Sequence, residues 1–408
     1  MKPPSSAVFA SLSSTIAEIC RLSGIRGVAI GVIDHGEIIH RASYGFCDVE
    51  KQIPCDSDST FVLDSLTKAF TSALLAQLLE EGRLNWTDPL SQILPEFQRE
   101  PQDLSSHATI GDLLCHHTGF HVPQQQPFHG SFVYNNFAYE ALGHVIEKVS
   151  GTSYSSFLHE RLLRPLGMKR TYFTDPTEQV ENEAKPYAAL SDATLVRISP
   201  ALQGDRVLMG PAGGVRSCLG TGQAYAPKDH SVSFSELPNM WTGWNILPMP
   251  LVREHSYGYG WVRSQLPSVL APSRGDPDLD PLVGTGAPSR LAIWHKTKQA
   301  VVVLTNSLSL NYGARYINDL VIEALLDNLD NAHDYVKLAK KSSDLAVKRV
   351  ESIQKELVDG RTRSEPSRPL DSYVGRYFNA AKNFFIEVGH NKGNSTYRSW
   401  GERRTPLN

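Results

Sequence analysis

The stretch Phe61-Val62-Leu63-Asp64-Ser65-Leu66-Thr67-Lys68-Ala69-Phe70-Thr71 decides how this chain is read. Ser65 stands where an apolar-periodic helix begins, and Lys68 follows three residues later, so both side chains share one face of the first turn. A serine hydroxyl is a weak nucleophile until a base takes its proton. A lysine serves as that base only when burial or a neighbouring cation lowers its pKa enough to leave it neutral part of the time. The helix N-terminus adds free N–H groups that favour developing negative charge. The pair therefore suffices to form an acyl-enzyme. Serine is also an ordinary helix cap, and the same spacing recurs at Ser352-Ile353-Gln354-Lys355 in a polar helix. Spacing alone does not decide between the two.

Working outward, residues 8–24 carry apolar side chains at helical spacing and predict an amphipathic helix. Residues 27–33 form a β-branched run, Asp34-His35-Gly36 is a turn signal, and Glu37 to Tyr44 returns as a second strand of an antiparallel hairpin. The helix after Ser65 presents Leu66, Ala69, Phe70, Ala73, Leu74 and Leu78 on one broad face and stops at Gly82. Residues 84–135 predict short helices joined by loops, and Phe137 to Val149 a further helix ending at Gly151. Between residues 180 and 290 only Tyr257–Val262 is assigned, as a strand. Arg290–Trp294 and Ala300–Thr305 predict a strand pair around a turn containing His295, and Tyr316–Leu326 a closing helix. Helix, hairpin, helical block, strands and helix describe an α+β architecture.

Composition narrows the function. Forty basic and forty-three acidic side chains in 408 residues leave a formal charge of −3, so no global field draws the chain to nucleic acid or to an anionic membrane. Five cysteines lack metal-ligand spacing and read as intracellular thiols. Neither a secretory signal nor a run of eighteen apolar residues stands out, which places the expectation in the cytoplasm with no membrane partner. The histidines are scattered; His116 and His117 are adjacent and would point in different directions, so no metal and no cofactor is expected.

Tyr134-Asn135-Asn136 supplies a second element. A tyrosine near Ser65 and Lys68 could relay a proton to the leaving group, and an asparagine amide could bind a substrate carbonyl. Tyr316-Ile317-Asn318 and Tyr377-Phe378-Asn379 share the spacing, so order along the chain has to break the tie.

The Phe61–Thr71 segment resembles the active-site segment of class C β-lactamases, D-alanyl-D-alanine carboxypeptidases and related esterases. Its flanks are similar too: Glu81-Gly82-Arg83-Leu84 through Asp88-Pro89-Leu90 and Leu94-Pro95-Glu96-Phe97, then Thr109 to Phe120 with Leu113-Leu114-Cys115-His116. Tyr134-Asn135-Asn136, Gly143-His144-Val145-Ile146-Glu147, Arg164-Pro165-Leu166-Gly167-Met168, Ala212-Gly213-Gly214-Val215 and Val301 to Asn306 follow in family order across roughly residues 25–330. The resemblance implies a β-lactamase/transpeptidase-like fold: an antiparallel sheet of five or more strands flanked by helices, a helical subdomain over about residues 84–180, and the site between them. It further implies that Ser65 carries the acyl group, Lys68 deprotonates it, Tyr134 shuttles the proton, Asn136 helps hold substrate, and the Ser65 N–H forms part of the oxyanion hole.

The family's third box, Lys-Thr-Gly or His-x-Gly, should precede the Val301 strand. Gly284-Thr285-Gly286 is the better placed candidate, read either as a plain Gly-rich loop or with Gly286 as the surviving oxyanion position and the side-chain donor lost; His295-Lys296-Thr297 falls in a turn without the glycine that permits close approach. Residues 1–328 are expected to form the catalytic domain and 329–369 a helical, polar linker. Residues 370–408 look like the opening strands of a small appended β-barrel and are too few to close one. The expected function is a serine hydrolase or acyltransferase working through a Ser65 acyl-enzyme on an ester, amide or thioester of a small molecule. Fungal relatives of this type occur in natural-product pathways. The competing expectation is a family member that kept the fold, lost turnover and acts as a binding or scaffold protein.

Overall fold

A computed structural model describes residues 6–97, 107–119, 128–173, 182–199, 204–205, 207–220, 232, 235–247, 255–264, 289–294, 297–360, 368–378, 384–391 and 394–401. It divides into two units, Met1–Lys348 and Arg349–Asn408.

The larger unit is built on a five-stranded antiparallel sheet. Its strands are β1 (Gly27–Asp34), β2 (Glu37–Asp48), β3 (Ile53–Pro54), β4 (Ser289–Trp294) and β5 (Gln299–Thr305), in the spatial order β4-β5-β1-β2-β3. β1 is central, with Ile30 opposite both Ala42 and Val303. It is buried on both faces, which explains why Gly27–Asp34 reads as a nearly unbroken apolar run rather than an alternation.

Helices cover the two faces. On one, α1 (Ser6–Ser11), α2 (Ser13–Ser23) and the late helix Gly313–Leu325 pack Phe9, Ile16, Ile19, Ile317 and Leu320 against Val28, Ile30, Val32, Val301 and Val303. The other face meets the core of α3 (Thr67–Glu80) and the helical block, with Ala29 and Leu304 on the sheet side. That block contains Leu90–Ile93, α4 (Ile110–Leu114), α5 (Asn136–Ser150) and Tyr154–Leu158. Thr109 and Asp112 close a capping box at the start of α4, and Gly151 ends α5 in the left-handed conformation at φ 78°.

Two local expectations are corrected. The helix expected over residues 8–24 is two helices, because the chain turns at Leu12, where Ser11 Oγ donates to the Val8 carbonyl in competition with the helical ladder. The strand expected over Tyr257–Val262 is instead the turn region of a hairpin between His255–Tyr257 and Val262–Ser264. Glycine is the reason. Gly260 adopts φ +81°, and a Cβ on it would lie 2.9 Å from the Lys68 carbonyl oxygen, so the chain reverses closely under the start of α3.

The smaller unit begins within the helix Tyr335–Asp359 and carries a three-stranded antiparallel sheet of Gly375–Phe378, Phe384–Asn391 and Asn394–Gly401. Among the described residues no helix is long and apolar enough to cross a membrane.

Candidate active site

Ser65 lies in a 3-10 turn, Asp64–Leu66, that leads directly into α3. The turn is fixed from both sides. Phe61–Val62 pairs with Arg216–Ser217, Leu63 N–H donates to the Val215 carbonyl at 2.8 Å, and Val215 N–H donates to Thr67 Oγ1 at 3.1 Å. Gly213 faces this turn, where a Cβ on it would lie 3.2 Å from Asp64 Oδ1, and Gly214 makes room on the other side for the Phe173 ring, which a Cβ would meet at 2.4 Å. Asp64 is held at φ 49°, a left-handed conformation that a non-glycine residue adopts only where its surroundings impose it.

Lys68 is 1% exposed, and Ser65 is partly exposed. Lys68 Nζ donates to Ser65 Oγ at 3.1 Å and to the Ala212 carbonyl at 2.9 Å. It also lies 4.9 Å from the centroid of the Tyr134 ring and 5.3 Å from that of Tyr139. Burial lowers its pKa to about 7, against the opposing pull of Asp64. Burial in turn raises the Asp64 carboxyl, with Lys68 and the Ser65 N–H acting to lower it. An amine poised near neutrality is the condition that a lysine base requires.

Tyr134 comes from the segment that precedes α5, and its hydroxyl donates to Ser65 Oγ at 2.9 Å. Enclosure raises its pKa to about 12, so it carries its proton at neutral pH. Asn135 is spent on structure: its side chain caps α5 by accepting from the Phe137 N–H at 2.8 Å. Asn136 Oδ1 is buried and has no hydrogen-bond partner among the described residues.

The structure thus brings Ser65, Lys68 and Tyr134 into mutual contact and sets Asn136 on the helix that follows Tyr134. Gly284, Gly286, His295 and Lys296 lie outside the described residues. Ser352 and Lys355 are exposed on the long helix, Tyr316 and Asn318 are buried under β5, and Tyr377 is 48% exposed on the smaller unit.

Sequence reasoning missed His116. It is fully buried, its ring stands 4.4 Å from that of Tyr134 and 4.8 Å from that of Tyr257, and its Nδ1 accepts from the Asn135 N–H at 3.1 Å. Burial, reinforced by Lys68, lowers its pKa well below the usual imidazole range, so it is a neutral wall behind Tyr134. The Leu-Leu-x-His pattern marked the position but not its packing role. The Ala212 carbonyl was also missed, because a backbone acceptor leaves no mark in side-chain identity.

The family model described as Beta-lactamase matches residues 14–326. The chain belongs to the beta-lactamase family. Protein flp of Staphylococcus aureus (strain MW2) is 26% identical over 40% of this chain, and the chain spans only 38% of that protein's length. The unguisins hydrolase ungD of Aspergillus violaceofuscus is 25% identical over 89% of this chain and 73% of its own. Among solved structures, the octameric penicillin-binding protein homologue from Pyrococcus abyssi superposes with TM-score 0.66 at 22% identity, covering 97% of this chain and 88% of that one. The fold is therefore β-lactamase/transpeptidase-like and α+β, as the sequence led us to expect.

Proposed function

We propose that the protein is a serine hydrolase or acyltransferase that works through an acyl-enzyme on Ser65, taking an ester, amide or thioester of a small molecule. The observation that carries this reading is the convergence on Ser65 Oγ of a buried lysine at 3.1 Å and a tyrosine hydroxyl at 2.9 Å.

In this reading neutral Lys68 takes the Ser65 hydroxyl proton as Oγ bonds to the substrate carbonyl carbon. The Ser65 N–H, with the Gly286 N–H as the second donor, would face the resulting oxyanion. Tyr134 then passes its proton to the departing alcohol, amine or thiol and regains one from the protonated Lys68, which leaves the acyl group on Ser65. Water attacking that ester completes a hydrolysis; a bound alcohol or amine completes an acyl transfer. Asn136 would hold a substrate carbonyl. The name of the Aspergillus relative favours hydrolysis and a natural-product substrate. No cofactor enters these steps.

Treatment with a fluorophosphonate, followed by peptide mass spectrometry, tests the reading. One adduct on the peptide containing Ser65, absent from Ser65→Ala, is the expected result. Folded protein that takes no label there refutes the acyl-enzyme and leaves the binding-protein alternative standing.

A further inference from the structure

Asp112, His117 and His129 are far from metal-ligand spacing in the sequence, yet each offers one ligand atom and these atoms lie within 4.8 Å of one another. We propose that they form a zinc site that ties the segment leading to Tyr134 back onto the end of α4.

The arrangement is built rather than incidental. Asp112 Oδ2 is taken up by the Thr109 N–H at 3.0 Å and the Thr109 hydroxyl at 2.6 Å, so the carboxylate is fixed and Oδ1 is left to face the histidines. Oδ1 already meets His129 Nε2 at 2.7 Å. The His129 N–H donates to the His117 carbonyl at 3.2 Å, which holds the two imidazoles in a stack at 4.5 Å with 22° between their planes. His129 itself sits at φ 58°, a conformation unfavourable for a residue with a Cβ unless something is gained from it. Stacked beside Phe128 at 3.9 Å, it is pinned from the other side as well.

Two imidazoles and one carboxylate are a donor set suited to zinc, with water completing a tetrahedron. Bonds of about 2.0–2.1 Å place tetrahedral ligand atoms roughly 3.3 Å apart, so binding would close the widest gap by about 1.5 Å. The ion would replace the proton between Asp112 and His129, with that proton moving to His129 Nδ1. The link to the catalytic cleft is short. The Val133 N–H donates to the His116 carbonyl at 3.1 Å, beside His117, and His129 stands just before the segment that delivers Tyr134, so the ion would hold the start of that segment.

The test uses the full chain, stripped with a chelator and titrated with zinc chloride by calorimetry. Cobalt(II) absorption serves as a check on tetrahedral geometry. One equivalent is expected, and His117→Ala and His129→Ala should each weaken it by more than the roughly 100-fold that loss of an outer-shell partner costs. Both variants spare the capping box, and circular dichroism confirms their folding. Zinc should also slow amide exchange over residues 128–134 in the parent but in neither variant. A folded parent that takes up no stoichiometric zinc, or either variant that binds it as tightly as the parent, overturns the site. Unchanged exchange over 128–134 in the zinc-bound parent overturns the clamp.

Discussion

At the scale of single residues, the site depends on how two protons are held. Lys68, with its pKa lowered to about 7 by burial, is protonated and useless as a base in acid and neutral above that point. Turnover of an activated ester should therefore rise with pH and level off above about pH 7. Tyr134→Phe should cost roughly 10²–10⁴-fold in kcat/KM, the range expected for one positioned acid–base group. It should keep the same rising limb, because the lysine remains. A pH–rate profile of both proteins checks this. A flat profile across neutrality would mean that Lys68 is not the titrating base. Loss of the limb in the tyrosine variant alone would assign it to the wrong group.

At the scale of elements, the hairpin His255–Ser264 matters because it presses against the base of α3 and supplies Tyr257 to the wall around His116. Gly260 and Gly82 both have positive φ, at +81° and +68°, but they differ in surroundings. A Cβ at Gly260 would crowd Ser72 Oγ at 2.6 Å and the Lys68 carbonyl at 2.9 Å, whereas nothing lies within 4 Å of one at Gly82. Gly82→Ala should cost only the left-handed backbone strain, about 1 kcal/mol. Gly260→Ala should cost about 2–3 kcal/mol and reduce activity, since the crowding falls on the residue that carries the base. Urea unfolding of the pair, side by side, isolates the packing contribution; equal losses would remove the hairpin from the account of the site.

For the whole molecule, burying an amine costs stability. The folded pKa of Lys68 is about 7, while an unfolded lysine titrates near 10.5. Between those values the unfolded chain binds the extra proton, so this residue makes stability rise with pH across that window. Below it both states are charged and the full burial penalty, at most on the order of 4–5 kcal/mol, is present. Lys68→Met should abolish turnover yet be no less stable than the parent at pH 7. Its advantage should shrink as the pH approaches 10. Denaturant melts at two pH values measure this, and a variant that is less stable at neutral pH, with a deficit independent of pH, would contradict it.

Much of the architecture was present in local pattern. The run Gly27–Asp34, the turn at Asp34–Gly36 and the β4–β5 pair emerge in the structure close to where periodicity placed them, because apolar spacing is fixed by the face that each element buries. The hairpin at 255–264 departs from the single strand that the aromatic run suggests because two glycines reverse the chain, Gly260 against α3 and Gly258 against the Met240 and Thr242 carbonyls, and neither contact is visible in local pattern. Ser65 and Lys68 could be paired from the helical repeat alone, since three residues along a helix is a fixed distance. The sequence by itself therefore determined the fold class, the order of the elements and the placing of Ser65 and Lys68 one turn apart at the start of a helix. Only the tertiary structure decided that His116 stands behind Tyr134 and that Asp112, His117 and His129 converge. Those contacts join residues that the chain holds apart, and no local repeat specifies a distance across a fold.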